Sequence, residues 1–222
     1  MNRPYTGPTG FTFRPDSFHI EGYPNADRVV KLTTPVGKRL ADMRLHDSDL
    51  GFCERTMQIY GSTLRVEAGD LSRALWITVL TKFYSCFGTS ASRASLDAKK
   101  VYAGKSDAMR AFWYYQNMRN KNIVHDENNY AYGITGIVLG PASEVQDILS
   151  LQFQTMTDNF EDGQNMYNLI DAAQKYVSDQ IGALLSKAFI QTNMLSPQQR
   201  VALPPLQVTA PGPGDEGISR KY

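Results

Sequence analysis

The chain has 222 residues, 42% of them hydrophobic and 20% charged, with a formal net charge of +1. That composition suits a globular protein with one main core, and the near-neutral charge argues against a protein that coats nucleic acid through a broad basic face. No apolar run approaches the roughly eighteen residues needed to cross a bilayer, and Met1-Asn2-Arg3-Pro4 lacks the apolar stretch of a secretory signal, so the cytoplasm is expected and no membrane partner. Only Cys53 and Cys86 carry thiols, both inside predicted helices, which reads as two reduced, buried cysteines rather than a disulfide framework or a metal site.

The arm from 1 to 35 carries five prolines and three glycines, a density of breakers that excludes a long helix. An irregular arm is expected, anchored by Phe11, Phe13, Phe18 and Tyr23, with a short strand at Gly10 to Phe13. From Pro35 to Ala68, Met43, His46, Leu50, Cys53, Met57, Tyr60 and Leu64 recur at spacings of three and four, which predicts a long amphipathic helix. On that stripe His46 reads as a core or interface histidine with a satisfied hydrogen bond. Gly69 breaks the helix and Asp70 is the expected cap of the next. Leu71 to Phe87, with Leu75, Trp76, Val79, Leu80 and Phe83, is apolar on most faces and reads as a central helix. Ser95 to Tyr102 reads as a short helix. A further helix is expected from Gly104-Lys105-Ser106-Asp107 to Met118, with Ala108, Ala111, Phe112, Tyr115 and Met118 on one face.

Tyr130 to Leu139 reads as a short strand or hairpin and Glu144 to Thr155 as a brief helix. A long helix follows from about Asp162 to Ile190, with Ile170, Ala173, Val177, Ile181, Leu184 and Ala188 inward. From Ser196 onward prolines and glycines predominate and a mobile tail is expected. The fold class is therefore mostly all-α, an antiparallel bundle of about four long helices spanning 36–195, between the arm of 1–35 and the tail of 196–222.

Between Arg93 and Lys121 seven bases, Arg110 among them, face two acids, whereas 141–190 holds seven acids and two bases. The basic segment suits a polyanion and leads directly into Met118-Arg119-Asn120-Lys121-Asn122-Ile123-Val124-His125-Asp126-Glu127-Asn128-Asn129. This polar, Asn-rich stretch at the end of a helix places an Arg and a His six residues apart, where side chains are better placed for chemistry than for packing. All three histidines follow an arginine at a similar distance: His19 after Arg14, His46 after Arg39 and His125 after Arg119. Context separates them. Arg14 precedes a proline in the irregular arm, His46 falls on an apolar stripe, and only Arg119 is followed by Asn at the end of a helix.

Arg119-Asn120-Lys121-Asn122-Ile123-Val124-His125 resembles the signature of HEPN-domain proteins, particularly the abortive-infection-type group, with the likeness extending over about Leu71 to Ile190. The resemblance implies a metal-independent endoribonuclease of toxin or antiphage-defence type, without cofactor, working as a homodimer with its motifs at the interface and open to control by an antitoxin. The chemistry fits these residues. The RNA 2′-hydroxyl attacks its own phosphodiester, so the enzyme needs a proton acceptor, a group for the charge on phosphorus, and alignment. His125 supplies the first and Arg119 presents a planar fork for the second. Asn120 and Asn122 orient the His or the sugar, and Lys121 with Arg110 steers the strand. In an unbroken α-helix Arg119 and His125 stand about 120° apart around the axis and about 9 Å along it, so either the helix breaks or two copies share a site. The alternative reading is a non-catalytic helical module that binds nucleotide, RNA or a partner protein. Trp76, Trp113, Tyr114 and Tyr115 are the aromatics near the motif that can stack bases or pack a core.

Overall fold

The computed structural model describes residues 11–14, 17–20, 23, 28–64, 69–90, 92–124, 131–154, 160–206 and 214. It is mostly helical. The chain divides into two compact units, residues 41–183 and the terminal segments 1–40 with 184–222.

In the larger unit the stripe read from sequence builds most of α1 (Pro35–Leu64). Met43, His46, Leu50, Cys53, Met57 and Tyr60 are all buried, while the side chain of Leu64 lies outside the described residues. α2 (Asp70–Ser85) buries Trp76, Val79, Leu80, Phe83 and Tyr84. Its first residue is Asp70 itself, so the cap is Gly69, whose N–H donates to Ser72 Oγ at 3.2 Å while that hydroxyl donates to the Gly69 carbonyl at 2.8 Å. Leu71, expected in the core, is exposed because one turn of α2 cannot bury all its faces. α3 is only Ala98–Val101, capped by Asp97, whose Oδ1 accepts from Lys99 N at 3.0 Å. Gly104, at φ +73°, supplies the left-handed residue that turns the chain into α4 (Ser106–Met118). The inward face of α4 is Phe112, Tyr115 and Met118, as its spacing predicts.

Aromatic rings join these helices. Phe112 lies 4.9 Å from Phe87, 5.1 Å from Tyr84 and 5.6 Å from Tyr102 between ring centres. Two buried hydroxyls are satisfied by backbone: Tyr84 Oη donates to the Phe112 carbonyl at 2.6 Å and Tyr102 Oη to the Leu169 carbonyl at 3.1 Å. α5 (Phe160–Asn193) contributes Met166, Leu169, Ile170, Ala173, Val177 and Ile181 to this core.

After α4 the coil changes type: residues Arg119–Val124 form a π-helix. β3 (Ala131–Leu139) then pairs antiparallel with β4 (Val145–Gln154). The expected helix over Glu144–Thr155 is thus a strand. Leu149, Leu151 and Phe153 alternate with Ile148, Ser150 and Gln152, a period of two that matches the partner strand, and cross-strand pairs such as Tyr132–Phe153, stacked at 5.0 Å, stabilise it. Every described side chain from Tyr132 to Phe153 except Val138 is exposed, setting aside Gly140.

The smaller unit departs further from expectation. β1 (Phe11–Arg14) pairs with β2 (Ser17–Ile20), so the arm contains a hairpin. The side chains of Phe11, Phe13 and Phe18 lie outside the described residues, and Tyr23 is exposed rather than anchored. The tail expected from Ser196 begins with α6 (Pro197–Val201), because Ser196 and Gln199 form a capping box and Pro197 occupies the first turn. It continues in a bridge between Val30 and Pro205, flanked by Lys31 N to the Pro204 carbonyl at 2.7 Å. Among the described residues no helix is long and apolar enough to cross a membrane.

Candidate active site around Arg119

Arg119 follows Met118, the last inward residue of α4, with helical backbone at φ −59° and ψ −48°. Its side chain is half-buried. Nη1 donates to Asn120 Oδ1 at 2.9 Å, while Nε is withdrawn from water and meets no acceptor among the described residues. A buried N–H without a partner costs about 1–3 kcal/mol. It is a fixed, positively charged donor with unspent capacity, the property an anion site needs.

Its surroundings are built from three helices. α2 packs on the π-helix. One α-turn before Arg119, Tyr115 lies edge-on to Trp76 at 5.7 Å, and Trp76 lies 5.5 Å from Tyr60. Tyr115 Oη donates to Asp162 Oδ1 at 2.6 Å, which ties the start of α5 to α4. Burial, then that carboxylate, pushes the Tyr115 phenol far above its ordinary range, so it remains a hydrogen-bond donor at any physiological pH. Trp76 Nε1 is a second buried donor without an acceptor among the described residues.

The predicted site residues separate accordingly. Arg119 and Asn120 are joined by a hydrogen bond, Lys121 is exposed beside them, and Asn122 belongs to the same π-helical backbone. His125 lies outside the described residues. Arg110 is exposed and tied to Asp107, Nη2 to Oδ1 at 2.6 Å. It stands nine residues before Arg119, about 13.5 Å along the axis, so it is not part of the same cluster. The π-helix ends at Val124, and the placement of His125 relative to Arg119 lies outside the described residues.

A second polar cluster surrounds His46, whose expected hydrogen bond is present and whose neighbours Asp42 and Asp49 the sequence did not mark. Asp42, His46 and Asp49, spaced by four and three on α1, grip the segment after α2. Ala94 N donates to Asp42 Oδ2 at 3.2 Å, and His46 Nε2 donates to the Ala94 carbonyl at 2.9 Å. Asp49 bridges Lys82 Nζ at 2.8 Å and Arg93 Nη1 at 2.7 Å. Burial raises the Asp49 carboxyl, but hydrogen bonds from Lys82 and Arg93, with their charges, outweigh it and hold the group below the usual carboxylate value. His46 is therefore occupied structurally. The signal was present, since three polar residues ride on or beside an apolar stripe, but their partners are remote in sequence.

Burial raises both thiols, Cys53 and Cys86, to about 12. Neither serves as a nucleophile near neutral pH. Among the described residues no group of three or more His, Cys, Asp or Glu side chains is placed to hold a metal ion. Compared with known proteins, the chain matches no family model, no curated protein and no solved structure.

Proposed function

We propose that the chain is a HEPN-like, metal-independent endoribonuclease, a dimeric cytoplasmic toxin or antiphage effector built on an antiparallel bundle of α1, α2, α4 and α5. The observation that carries this reading is Arg119: half-buried at the point where α4 turns π, oriented by Asn120, and holding a buried Nε–H with no acceptor among the described residues. A phosphodiester oxygen supplies the missing acceptor. In the reaction His125 removes the 2′-hydroxyl proton, the 2′-oxygen attacks phosphorus, and the P–O5′ bond breaks. The leaving 5′-oxygen takes a proton and the products are a 2′,3′-cyclic phosphate and a 5′-hydroxyl. Arg119 bears the charge that builds on the phosphoryl oxygens, and a preorganised donor of this kind is worth about 3–4 kcal/mol in the transition state. Asn120 keeps the guanidinium in place, Lys121 and Asn122 hold the strand, and two copies facing each other bring Arg119 of one near His125 of the other. An antitoxin or other regulatory protein is the natural means of restraint.

The test is wild-type protein beside Arg119→Ala and His125→Ala, expressed in a bacterial host for growth and RNA integrity, then purified and incubated with RNA in excess chelator. The expected result is growth arrest and RNA ending in 2′,3′-cyclic phosphate for the wild type alone. RNA bound but uncut by all three proteins, at equal soluble yield, would overturn the enzyme and leave the binding module.

A further inference from the structure

The four aromatics near the motif fall into two pairs: Trp76 and Tyr115 are buried, whereas Trp113 and Tyr114 are exposed, Trp113 by 48%. A cavity of about 320 Å³ opens beside Trp113, lined by the Phe87 and Phe112 rings and by Ser95, Asp97, Lys99 and Gln116, the Asp97 carboxylate being engaged by the Lys99 backbone N–H at 3.0 Å. The indole lies edge-to-face with the buried Phe112 ring at 5.4 Å and 81°. Trp113 and Gln116, three residues apart on α4, share one face of the helix and both line the cavity. Trp113 precedes Arg119 by about 9 Å along the axis and about 120° around it, a span that the backbone of a bound strand has to cover.

We propose that this cavity is a base-binding subsite, in which one unpaired nucleobase of a single-stranded RNA stacks on Trp113 while its backbone runs toward Arg119. The inference deepens the ribonuclease reading and rests on it for the direction of the strand. Three features select this ligand. An aromatic face with an amide, a hydroxyl, a carboxylate and an ammonium around it offers donors and acceptors to the flat, hydrogen-bonding edge of a base, and stacking tolerates any base. Lys99, Lys100 and Lys105 are exposed and make no ion pair among the described residues, so their charge is available to a polyanion. A base in a duplex cannot enter such a cavity without leaving its stack, which selects single strands.

The chain has two tryptophans, so Trp76→Phe leaves Trp113 as the sole reporter. The probes are a 2′-O-methyl hexanucleotide, which cannot be cleaved, its duplex, and adenosine monophosphate. The expected result is quenching of Trp113 fluorescence by the single strand, at concentrations where duplex and mononucleotide have little effect. By fluorescence anisotropy in the otherwise wild-type chain, Trp113→Ala weakens hexanucleotide binding about 5- to 100-fold and Trp113→Phe restores it to within about threefold. Tight binding that Trp113→Ala leaves unchanged overturns the subsite while sparing the ribonuclease reading. Equal quenching by adenosine monophosphate or duplex overturns the single-strand assignment, and no binding of any RNA by the wild type overturns both.

Discussion

Asp49→Ala tests the ion cluster that ties the segment after α2 to α1. The side chains of Asp49 and Arg93 are 16% and 14% exposed and 2.7 Å apart, whereas Lys82 is 43% exposed. Removing the carboxylate leaves the Arg93 guanidinium largely withdrawn from water, with only a 3.4 Å hydrogen bond to the Ser85 carbonyl. Breaking a fully buried pair costs about 3–5 kcal/mol and an exposed one about 0–1 kcal/mol, so a loss of about 2–3 kcal/mol is expected here. For a chain of this size that lowers the melting temperature by about 4–12 °C. Because the folded carboxyl sits below its unfolded value of 3.8, the contribution is complete above about pH 4 and fades as pH falls through the folded value. The gap between wild type and Asp49→Ala, followed by circular dichroism in urea, should therefore be full at pH 7 and close below pH 4. A double-mutant cycle should give Asp49–Arg93 a larger coupling than Asp49–Lys82. A loss under about 0.5 kcal/mol at pH 7, or the reverse order of couplings, would refute the reasoning.

Two glycines of α5 should respond with opposite sign to alanine. At Gly163 an added Cβ meets the buried Tyr60 ring at 3.0 Å, so Gly163→Ala is expected to lose about 1–2 kcal/mol in urea unfolding. At Gly182 nothing lies within 4 Å, and Gly182→Ala should gain about 0.5–1 kcal/mol from helix propensity. The thiols give a third check: Cys53 and Cys86, raised to about 12, should resist a disulfide reagent at pH 8 until denaturant is added, after which two thiols react. Since unfolded thiols ionise near 9.0 and folded ones keep their protons to about 12, their contribution falls as pH rises above about 9.

The helical core was legible wherever one face of a helix carried it. The stripe from Met43 to Tyr60 and the triad Phe112, Tyr115 and Met118 are buried as their spacing demands. β4 was not legible, because Val145, Ile148 and Leu149 also satisfy a helical period, and only pairing with β3 decides between the two. The π-turn leaves no mark in the composition of Arg119–Val124, since which carbonyl an N–H reaches depends on packing against α2. The division of Trp113 and Tyr114 from Trp76 and Tyr115 follows from helical phase once Phe112 is known to face inward. The clamp on Ala94 could not be read at all: Asp42 and His46 find it about fifty residues away, and no local pattern encodes such a partner.

Arg119 allows the proposed chemistry to be separated from the fold. Helical phase along α4 places residue 119 about 20° from Phe112, between it and Tyr115 on the buried face, where an apolar side chain would be at ease. The chain instead carries a guanidinium there, with Asn120 as its hydrogen-bond acceptor and a buried Nε–H unsatisfied among the described residues. A cationic group so placed does not stabilise the fold, and replacing such groups by apolar ones of similar length is often neutral or favourable. Arg119→Met is therefore expected to hold or raise the stability in urea by about 0–2 kcal/mol, while RNA cleavage falls by about a hundredfold or more. Arg119→Lys keeps the charge but loses the planar fork, and should recover little activity. If Arg119→Met instead unfolds the protein or costs more than about 1 kcal/mol, the residue is a structural element of the α4 terminus. The strain it carries would then have a purely local explanation. A stable, inactive Arg119→Met protein would show that a buried, unsatisfied donor is retained here for a ligand and not for the core.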